Sequence, residues 1–177
     1  MLSDSGKLES MGDAQGEAQC FTVCAARNEM LIGDSKGFAH FYDATTLKSK
    51  GLPPIKTVYG NPCHSVAFSA DGAKFAIGDA KGYVTVYDTE TKEQLCYIYG
   101  HKNKVLQCIF TPNSDWVCSF AFDQTLSLGL VADPKGSRSL LRPSGYAVTN
   151  EICLMQSEGQ DYFLAVGYDC AVRIWKY

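Results

Sequence analysis

The chain has 177 residues, of which 46% are hydrophobic and 20% charged, a composition typical of a folded domain and not of a disordered chain. Its formal net charge of −3 argues against a general binder of nucleic acid or anionic membranes. No apolar run approaches the roughly 18 residues that a membrane-spanning helix needs, so no such span is expected.

The first 18 residues differ in composition from the rest of the chain. They are polar and rich in Gly, Ser, Asp and Glu, and they lack the apolar core of a secretory signal peptide. We therefore expect residues 1–18 to be a flexible segment and residues 19–177 to form one folded domain.

Short alternating apolar runs follow, each of a length typical of a β-strand. The first unit has predicted strands at Phe21–Ala25, Met30–Ile32, Phe38–Tyr42 and, outermost, Lys56–Tyr59. Pro53 and Pro54 precede the outermost strand. Because proline has no backbone N–H to donate, this connection is predicted to be a surface loop.

The stretch from Val66 to Asp88 shows the same pattern most clearly. Asp71-Gly72 joins two of its runs, and Asp-Gly between alternating apolar residues is a strong hairpin signal. The predicted strands of this second unit are Val66–Phe68, Lys74–Ile77, Tyr83–Tyr87 and an outer Gln94–Tyr99.

Two further units complete the domain. The third has predicted strands at Val105–Phe110, Trp116–Ala121, Thr125–Leu130 and Ser139–Leu141. The fourth has strands at Glu151–Met155, Tyr162–Val166 and Ala171–Tyr177, with no outer strand after them. We expect Ala171–Tyr177 to be an unpaired apolar edge, which proteins rarely leave exposed.

The units repeat with a regular period. IGDSKGFAHFYD at 32–43 is nearly the same string as IGDAKGYVTVYD at 77–88. The residues just before each third strand are Lys36, Lys81, Asp123 and Asp169, spaced 45, 42 and 46 residues apart. Four strands per period of about 40–45 residues is the signature of a β-propeller blade. The repeats are predicted at about 19–59, 60–99, 100–144 and 145–177.

Several of these residues resemble the WD-repeat (β-transducin repeat) family. The matching pattern is Gly100-His101, Val105, Phe110-Thr111-Pro112-Asn113-Ser114-Asp115, and Asp123 before Thr125. Ile174-Trp175 matches the motif ending, with Lys176 where aspartate is usual, and Tyr42-Asp43 and Tyr87-Asp88 are tyrosine variants of it. The resemblance implies an all-β WD-repeat propeller of four blades, a partial ring whose last blade lacks its outer strand.

His101, Ser119 and Asp123 could be read as a catalytic triad. The family resemblance implies a structural hydrogen-bond network instead, with Gly129 at the position where the family has tryptophan. No glycine-flanked nucleophile turn surrounds Ser119, which lies in CSFAF. We therefore predict no catalytic residues.

A candidate protein-binding surface comes from the same resemblance. Lys102 and Lys104 lie in the loop that leads into the third blade, and Phe122 and Tyr168 precede tight-turn residues. In WD propellers these two loop types share one face, so the four residues are predicted to be interface anchors. His40 and His64 are interpreted as surface or packing residues.

Eight cysteines are expected to be free thiols, since no export signal and no metal-ligand set accompanies them. Those within strand patterns are predicted to act as small core hydrophobes, namely Cys24, Cys96, Cys108, Cys118 and Cys153. This favours a reducing, cytoplasmic setting. We expect no cofactor and no metal.

The predicted function is a non-catalytic protein–protein interaction scaffold, a WD-repeat subunit of a larger complex. The ring is expected to be completed by a second propeller chain or, less favoured, by a second copy. The alternative is a ligand-binding propeller module for a phosphorylated peptide or lipid headgroup. Few basic loop residues support it, since only Lys135, Arg138 and Arg142 cluster, in one connection.

Overall fold

The structure is a computed structural model, and it describes residues 15–133, 138–140, 149–157, 159–167 and 172–176. Within these residues, fifteen strands form four antiparallel sheets, and one short 3-10 helix spans Ala25–Arg27. Neighbouring strands in each sheet follow one another in the chain. Each sheet is one blade, which confirms the prediction of an all-β partial propeller.

The strands of the first blade are β1 Ala18–Cys24, β2 Glu29–Asp34, β3 Phe38–Asp43 and β4 Ile55–Lys56. Those of the second are β5 Cys63–Phe68, β6 Lys74–Asp79, β7 Val84–Asp88 and β8 Gln94–Ile98. Those of the third are β9 Val105–Phe110, β10 Trp116–Ala121, β11 Leu126–Leu130 and β12 Arg138–Leu140. The fourth blade has β13 Thr149–Ser157, β14 Gln160–Gly167 and β15 Val172–Lys176.

Several strands lack residues that were predicted for them, and β4 and β7 show the physical reason. β4 ends at Lys56, because Thr57 and Gly60 close a turn through their backbone (Gly60 N–H to Thr57 O, 3.0 Å). β7 begins at Val84 and not at Tyr83, because the Tyr83 N–H donates to the Asp79 carboxylate at 3.0 Å. In both places a local hydrogen bond competes with the strand ladder.

The hydrophobic core is divided into three clusters, one between each pair of neighbouring blades. Between blades one and two it contains Leu31, Phe41, Val66, Phe75 and Ile77. Between blades two and three it contains Val84, Val86, Ile98, Val105 and Val117. Between blades three and four it contains Phe120, Leu126, Leu128, Ile152 and Phe163.

Glycines in the second strands of blades one and two allow the next blade to approach closely. A Cβ at Gly33 would lie 2.6 Å from Cβ of Cys63, and one at Gly78 would lie 2.6 Å from Cγ1 of Val105. The same position in blade three is Phe120. The third interface is bridged by the Gln107 side chain, which accepts from Ile152 N–H (2.7 Å) and donates to Ile152 O (3.0 Å).

The two end faces of the row of blades are apolar and exposed. Val172 and Ile174 of β15 are 62% and 57% exposed, whereas Val84 and Val86, at the same strand positions of blade two, are 0% exposed. On the opposite end, Phe21 of β1 is 70% exposed. Elsewhere in the fold, side chains at these positions are buried against a neighbouring blade. Among the described residues, no blade covers either of the two end faces.

Seven cysteines lie in the described part of the chain, and each carries a free thiol. Cys24, Cys96, Cys108 and Cys118 are buried as predicted, and burial raises the pKa of Cys96 and Cys108 to about 11. The prediction for Cys153 is wrong, since this residue is exposed. Its neighbour along β13 faces the blade-three core, so strand alternation turns Cys153 toward the uncovered end face.

The boundary predicted at residue 18 remains a prediction. Residues 15–17 already contact the first blade, where Ser35 N–H donates to Glu17 O at 2.8 Å. None of the helices that the structure describes is long and apolar enough to cross a membrane.

Candidate functional site

The candidate site is one face of the row of blades, built from two kinds of segment. Lead-in loops, residues 57–62 and 99–104, precede the first strands of blades two and three. Mid-blade turns, residues 35–37, 80–83 and 122–125, join the second and third strands of blades one to three. Because strands within a blade are antiparallel, both kinds of segment lie at the same end of the blades.

In the third blade, His101 connects the lead-in loop to the mid-blade turn. Its Nε2 lies 2.8 Å from Ser119 Oγ and its Nδ1 lies 2.7 Å from Thr125 Oγ1. Thr125 Oγ1 donates to Asp123 Oδ1 at 2.6 Å, so it accepts from His101 Nδ1–H, and Nε2 accepts from the Ser119 hydroxyl. Asp123 Oδ2 accepts from Lys102 N–H.

The order of this network differs from the expectation. Thr125, which the predicted network did not include, is a further member. Asp123 does not hydrogen-bond the imidazole directly, since Oδ1 and Nδ1 are 3.7 Å apart. Ser119 is fully buried, so its hydroxyl is out of reach of a substrate, and the arrangement fits the structural interpretation of these residues.

Burial decides the protonation of this network. It lowers the pKa of His101 below its ordinary value, and the neighbouring Asp123 carboxylate opposes the shift only in part. Burial alone would raise the pKa of Asp123, but hydrogen bonds from Lys102 N–H and from Thr125 outweigh it and the pKa is lowered. The stable form at neutral pH is therefore a neutral imidazole beside an ionised carboxylate.

The first blade has a network that sequence reasoning missed. Asp34, at the end of β2, accepts from the backbone N–H groups of Lys36 (2.9 Å) and Phe38 (2.8 Å), and His40 Nε2 lies 3.0 Å from its Oδ2. Gly16 N–H also donates to Oδ2 at 3.1 Å. His40, interpreted above as a surface or packing residue, is buried and holds this carboxylate.

The second blade uses the same position with a different partner. Asp79 Oδ1 accepts from Lys81 N–H at 2.8 Å, and its Oδ2 accepts from the Asn61 side chain at 2.9 Å. By strand register, Asp34 and Asp79 correspond to Ala121 in blade three. The repeated Gly-Asp dipeptide in the two similar strings was the available signal for this pair of carboxylates.

Glycines join the turns to the following blade. Gly37 has φ +83°, and a Cβ on it would lie 2.5 Å from Asn61 O. Gly82 has φ +93°, and a Cβ there would lie 2.7 Å from His101 O. Each mid-blade turn is therefore bound to its own lead-in loop by a carboxylate and packs directly against the next one.

Three of the four predicted interface anchors, Lys102, Lys104 and Phe122, lie on this face. Lys104 Nζ is 5.0 Å from the centre of the Phe122 ring, and Phe122 N–H donates to Lys104 O at 2.9 Å. Lys102 is exposed in the lead-in loop. Tyr168 lies outside the described residues, as do Lys135 and Arg142 of the predicted basic cluster, and the Arg138 side chain is not described.

The described residues contain no group of three or more His, Cys, Asp or Glu side chains that could hold a metal ion. A groove of about 720 Å³ runs along the inner strands of the four blades, lined by residues such as Cys20, His64, Gln107 and Cys153.

Comparison with known proteins agrees with this geometry. The family model described as "WD domain, G-beta repeat" matches residues 92–128, the segment that holds His101, Ser119, Asp123 and Thr125. The chain is 26% identical over 180 residues to WD repeat-containing protein 1 of Xenopus tropicalis.

The chain therefore carries a WD repeat at residues 92–128 and is similar to WD repeat-containing proteins. Other similar relatives are WD repeat-containing protein 1 of Gallus gallus, 27% identical over 99% of this chain, and that of Mus musculus, 27% identical over 76%. This WD-repeat chain spans 28% of the length of the Xenopus tropicalis and Gallus gallus relatives.

A solved structure supports the architecture. The β-propeller domain of Cps50 (Swd1) of Myceliophteria thermophila matches 93% of the WD-repeat chain and 53% of its own chain, with a TM-score of 0.77 and 15% sequence identity. This likeness establishes the propeller fold.

Proposed function

We propose that this WD-repeat chain is a non-catalytic interaction scaffold that assembles with further propeller blades through its two end faces. The observation that carries the proposal is the exposure of Val172 and Ile174 at positions that are buried between blades elsewhere in the fold. Apolar strand faces of this kind are normally covered in a folded assembly.

The first blade supports the proposal from the other end. Phe21 of β1 occupies the strand position of Val66 in β5 and Cys108 in β9, both of which are buried against the preceding blade. A groove of about 360 Å³ runs along this face, lined by Phe21, Met30 and Ile32. A preceding blade would cover it in the way that blade one covers blade two.

The occupants are proposed to be blades of another propeller segment and not a second copy of these residues. The two end faces are chemically different: one presents the aromatic ring of Phe21 beside Val23, and the other presents the branched aliphatic side chains of Val172 and Ile174. We also propose a cytoplasmic location, supported by the buried free thiols of the core.

The test is assembly of the purified protein, measured by multi-angle light scattering together with hydrogen exchange of β15. We expect Ile174→Lys to abolish the contact made by this end face and to raise exchange in β15. Leu47→Lys is the matched control, because Leu47 is about as exposed but lies in the connection after β3.

Two results would contradict the proposal. One is a chain that stays monomeric at every concentration and with every propeller partner offered. The other is equal assembly of the Ile174→Lys and Leu47→Lys proteins. A symmetric dimer that Ile174→Lys disrupts would instead assign the face to a second copy.

A further inference from the structure

The balance of exposed charge differs between the two faces of blades one to three. The face with the lead-in loops and mid-blade turns carries exposed lysines together with the exposed carboxylate Glu17, whereas its aspartates at 34, 79 and 123 are buried or half-buried and hydrogen-bonded within the blades. The opposite face carries the cations Arg27, Lys48, Lys50 and Lys92 and a larger number of exposed or half-exposed carboxylates, namely Asp43, Asp71, Asp88, Glu90, Glu93 and Asp115. The lead-in face is therefore locally basic although the chain as a whole is acidic.

The lysines of this face are free of ion pairs in the described part of the chain. Lys36 and Lys81 occupy the mid-blade turns of blades one and two, and Lys102 occupies the lead-in loop of blade three. At Gly37 and Gly82 these turns are in close contact with the neighbouring lead-in loops. Because the segments touch, the lysines follow one continuous path across three blades.

Tyrosines line the same path. The Tyr83 ring lies between those of Tyr59 and Tyr99, with centre-to-centre distances of 5.2 Å and 6.0 Å. Tyr59 and Tyr99 are 68% and 63% exposed, which is unusual for large aromatic side chains in mutual contact. Each immediately precedes a glycine within its lead-in loop. Exposed, rigid aromatic rings of this kind are typical of binding interfaces.

We infer that this lysine–tyrosine strip, defined as Lys36, Lys81, Lys102, Tyr59, Tyr83 and Tyr99, docks an extended acidic segment of a partner protein. Carboxylates of the segment pair with the lysine ammonium groups, and its apolar side chains or prolines cover the tyrosine rings. The inference rests on the proposed scaffold role and adds the chemistry of one partner.

Charge complementarity and the rings together favour a protein segment over other anions. The opposite face and the net charge of −3 would repel a nucleic acid or an anionic membrane that covered more than the strip. Lysines set along a narrow line, with tyrosines between them, match a single extended chain. A membrane surface would require a broad basic patch.

The test is fluorescence anisotropy of the purified protein with a labelled peptide that alternates glutamate and proline. A peptide that alternates glutamine and proline is the neutral control. We expect the acidic peptide to bind and to bind more weakly as salt is raised. The double variant Lys81→Glu, Lys102→Glu should weaken binding about tenfold.

Matched variants separate the two components of the strip. Lys48→Glu places the same charge change on the opposite face, at an exposed lysine outside the ion pairs, and should leave binding unchanged. Tyr59→Ser with Tyr99→Ser should weaken binding with little change in its salt dependence. Thermal melts confirm that each variant is folded, and Lys81→Gln with Lys102→Gln replaces the double glutamate variant if it is not.

Three results would overturn the inference: equal binding of the neutral peptide, equal weakening by Lys48→Glu, or tighter binding of phosphatidylserine vesicles than of the acidic peptide. Assembly through the end faces is measured separately by light scattering. Loss of peptide binding with intact assembly rejects the strip alone, and loss of assembly with intact peptide binding rejects the end-face proposal alone.

Discussion

The second and third blades use different residues to hold the mid-blade turn to the lead-in loop. In blade two, Asp79 ends the second strand and binds Asn61 of the lead-in loop directly. In blade three, that strand position is Ala121, and the carboxylate is Asp123, two residues later. Asp123 reaches His101 only through Thr125, and His101 in turn needs Ser119 where blade two has Ile77.

The difference shows that the turn requires a buried acceptor and not a fixed residue position. Either carboxylate satisfies backbone N–H groups that the tight turn cannot pair within the sheet. A residue change at one position of the repeat is therefore accompanied by changes at the positions it contacts. Residues that pack against the next blade also differ between the two repeats, since blade two has Gly78 where blade three has Phe120.

The largest expected effect comes from filling the close contact between blades two and three. Gly78→Val would place a Cβ 2.6 Å from Cγ1 of Val105, between two buried strands, so we expect a loss of about 3 kcal/mol in the free energy of unfolding. Chemical denaturation measures it, with Ala70→Val at an exposed turn position as the control. Equal midpoints would show that the interface is not close-packed.

The next effect tests whether the two carboxylates are equivalent. Asp123→Ala and Asp79→Ala should each destabilise the protein by roughly 1–3 kcal/mol, because each leaves turn N–H groups without an acceptor. His101→Ala should be non-additive with Asp123→Ala, since Thr125 links them, and additive with Asp79→Ala. Thermal melts of the single and double variants measure this coupling. Additivity in both pairs would contradict the linked network.

A smaller effect is the pH dependence that belongs to blade three. Burial keeps the pKa of His101 below its unfolded value of about 6.5, so the unfolded state takes up the proton first and stability falls as pH drops below about 6.5. His101→Asn, which places the blade-two residue type in this loop, should flatten that part of the curve. Denaturation midpoints between neutral and mildly acidic pH measure it.

Other titratable side chains also contribute to the pH dependence of stability. Burial and Lys104 also lower the pKa of the less buried His64, so His64→Gln should remove a smaller part of the same slope. The lowered pKa values of Asp34 and Asp123 give a separate loss of stability, which begins only as pH falls through about 4. An unchanged slope in His101→Asn would show that its imidazole is not neutral in the folded protein.

The smallest effect concerns reactivity and not stability. The exposed thiol of Cys153 should react with a thiol reagent in the native protein, whereas those of Cys63, Cys108 and Cys118 should react only after unfolding. Mass spectrometry of the labelled protein measures this, and Cys153→Ser is the control. Native protection of Cys153 would mean that a further blade covers the end face in solution.

The sequence predicted the number and order of the blades because strand periodicity is a local property. Alternating apolar runs separated by turn residues locate β10 at Trp116–Ala121 without any knowledge of its neighbours. The repeat spacing then indicates the propeller, since one such unit cannot bury both of its faces. His101, Ser119 and Asp123 could be grouped because the family pattern resides in their order along the chain.

Tertiary structure alone decided which of these residues touch. Three contacts of this kind are the Asp34–His40 pair, the link through Thr125 in blade three and the contact of the tilted Tyr59 and Tyr83 rings. The sequence separation of the residues in these contacts does not indicate that they touch. Strand alternation gives each side chain one of two faces, but only the neighbouring blade determines whether that face is buried. For this reason Cys108 lies in the core, while Cys153, also in the first strand of its blade, is exposed.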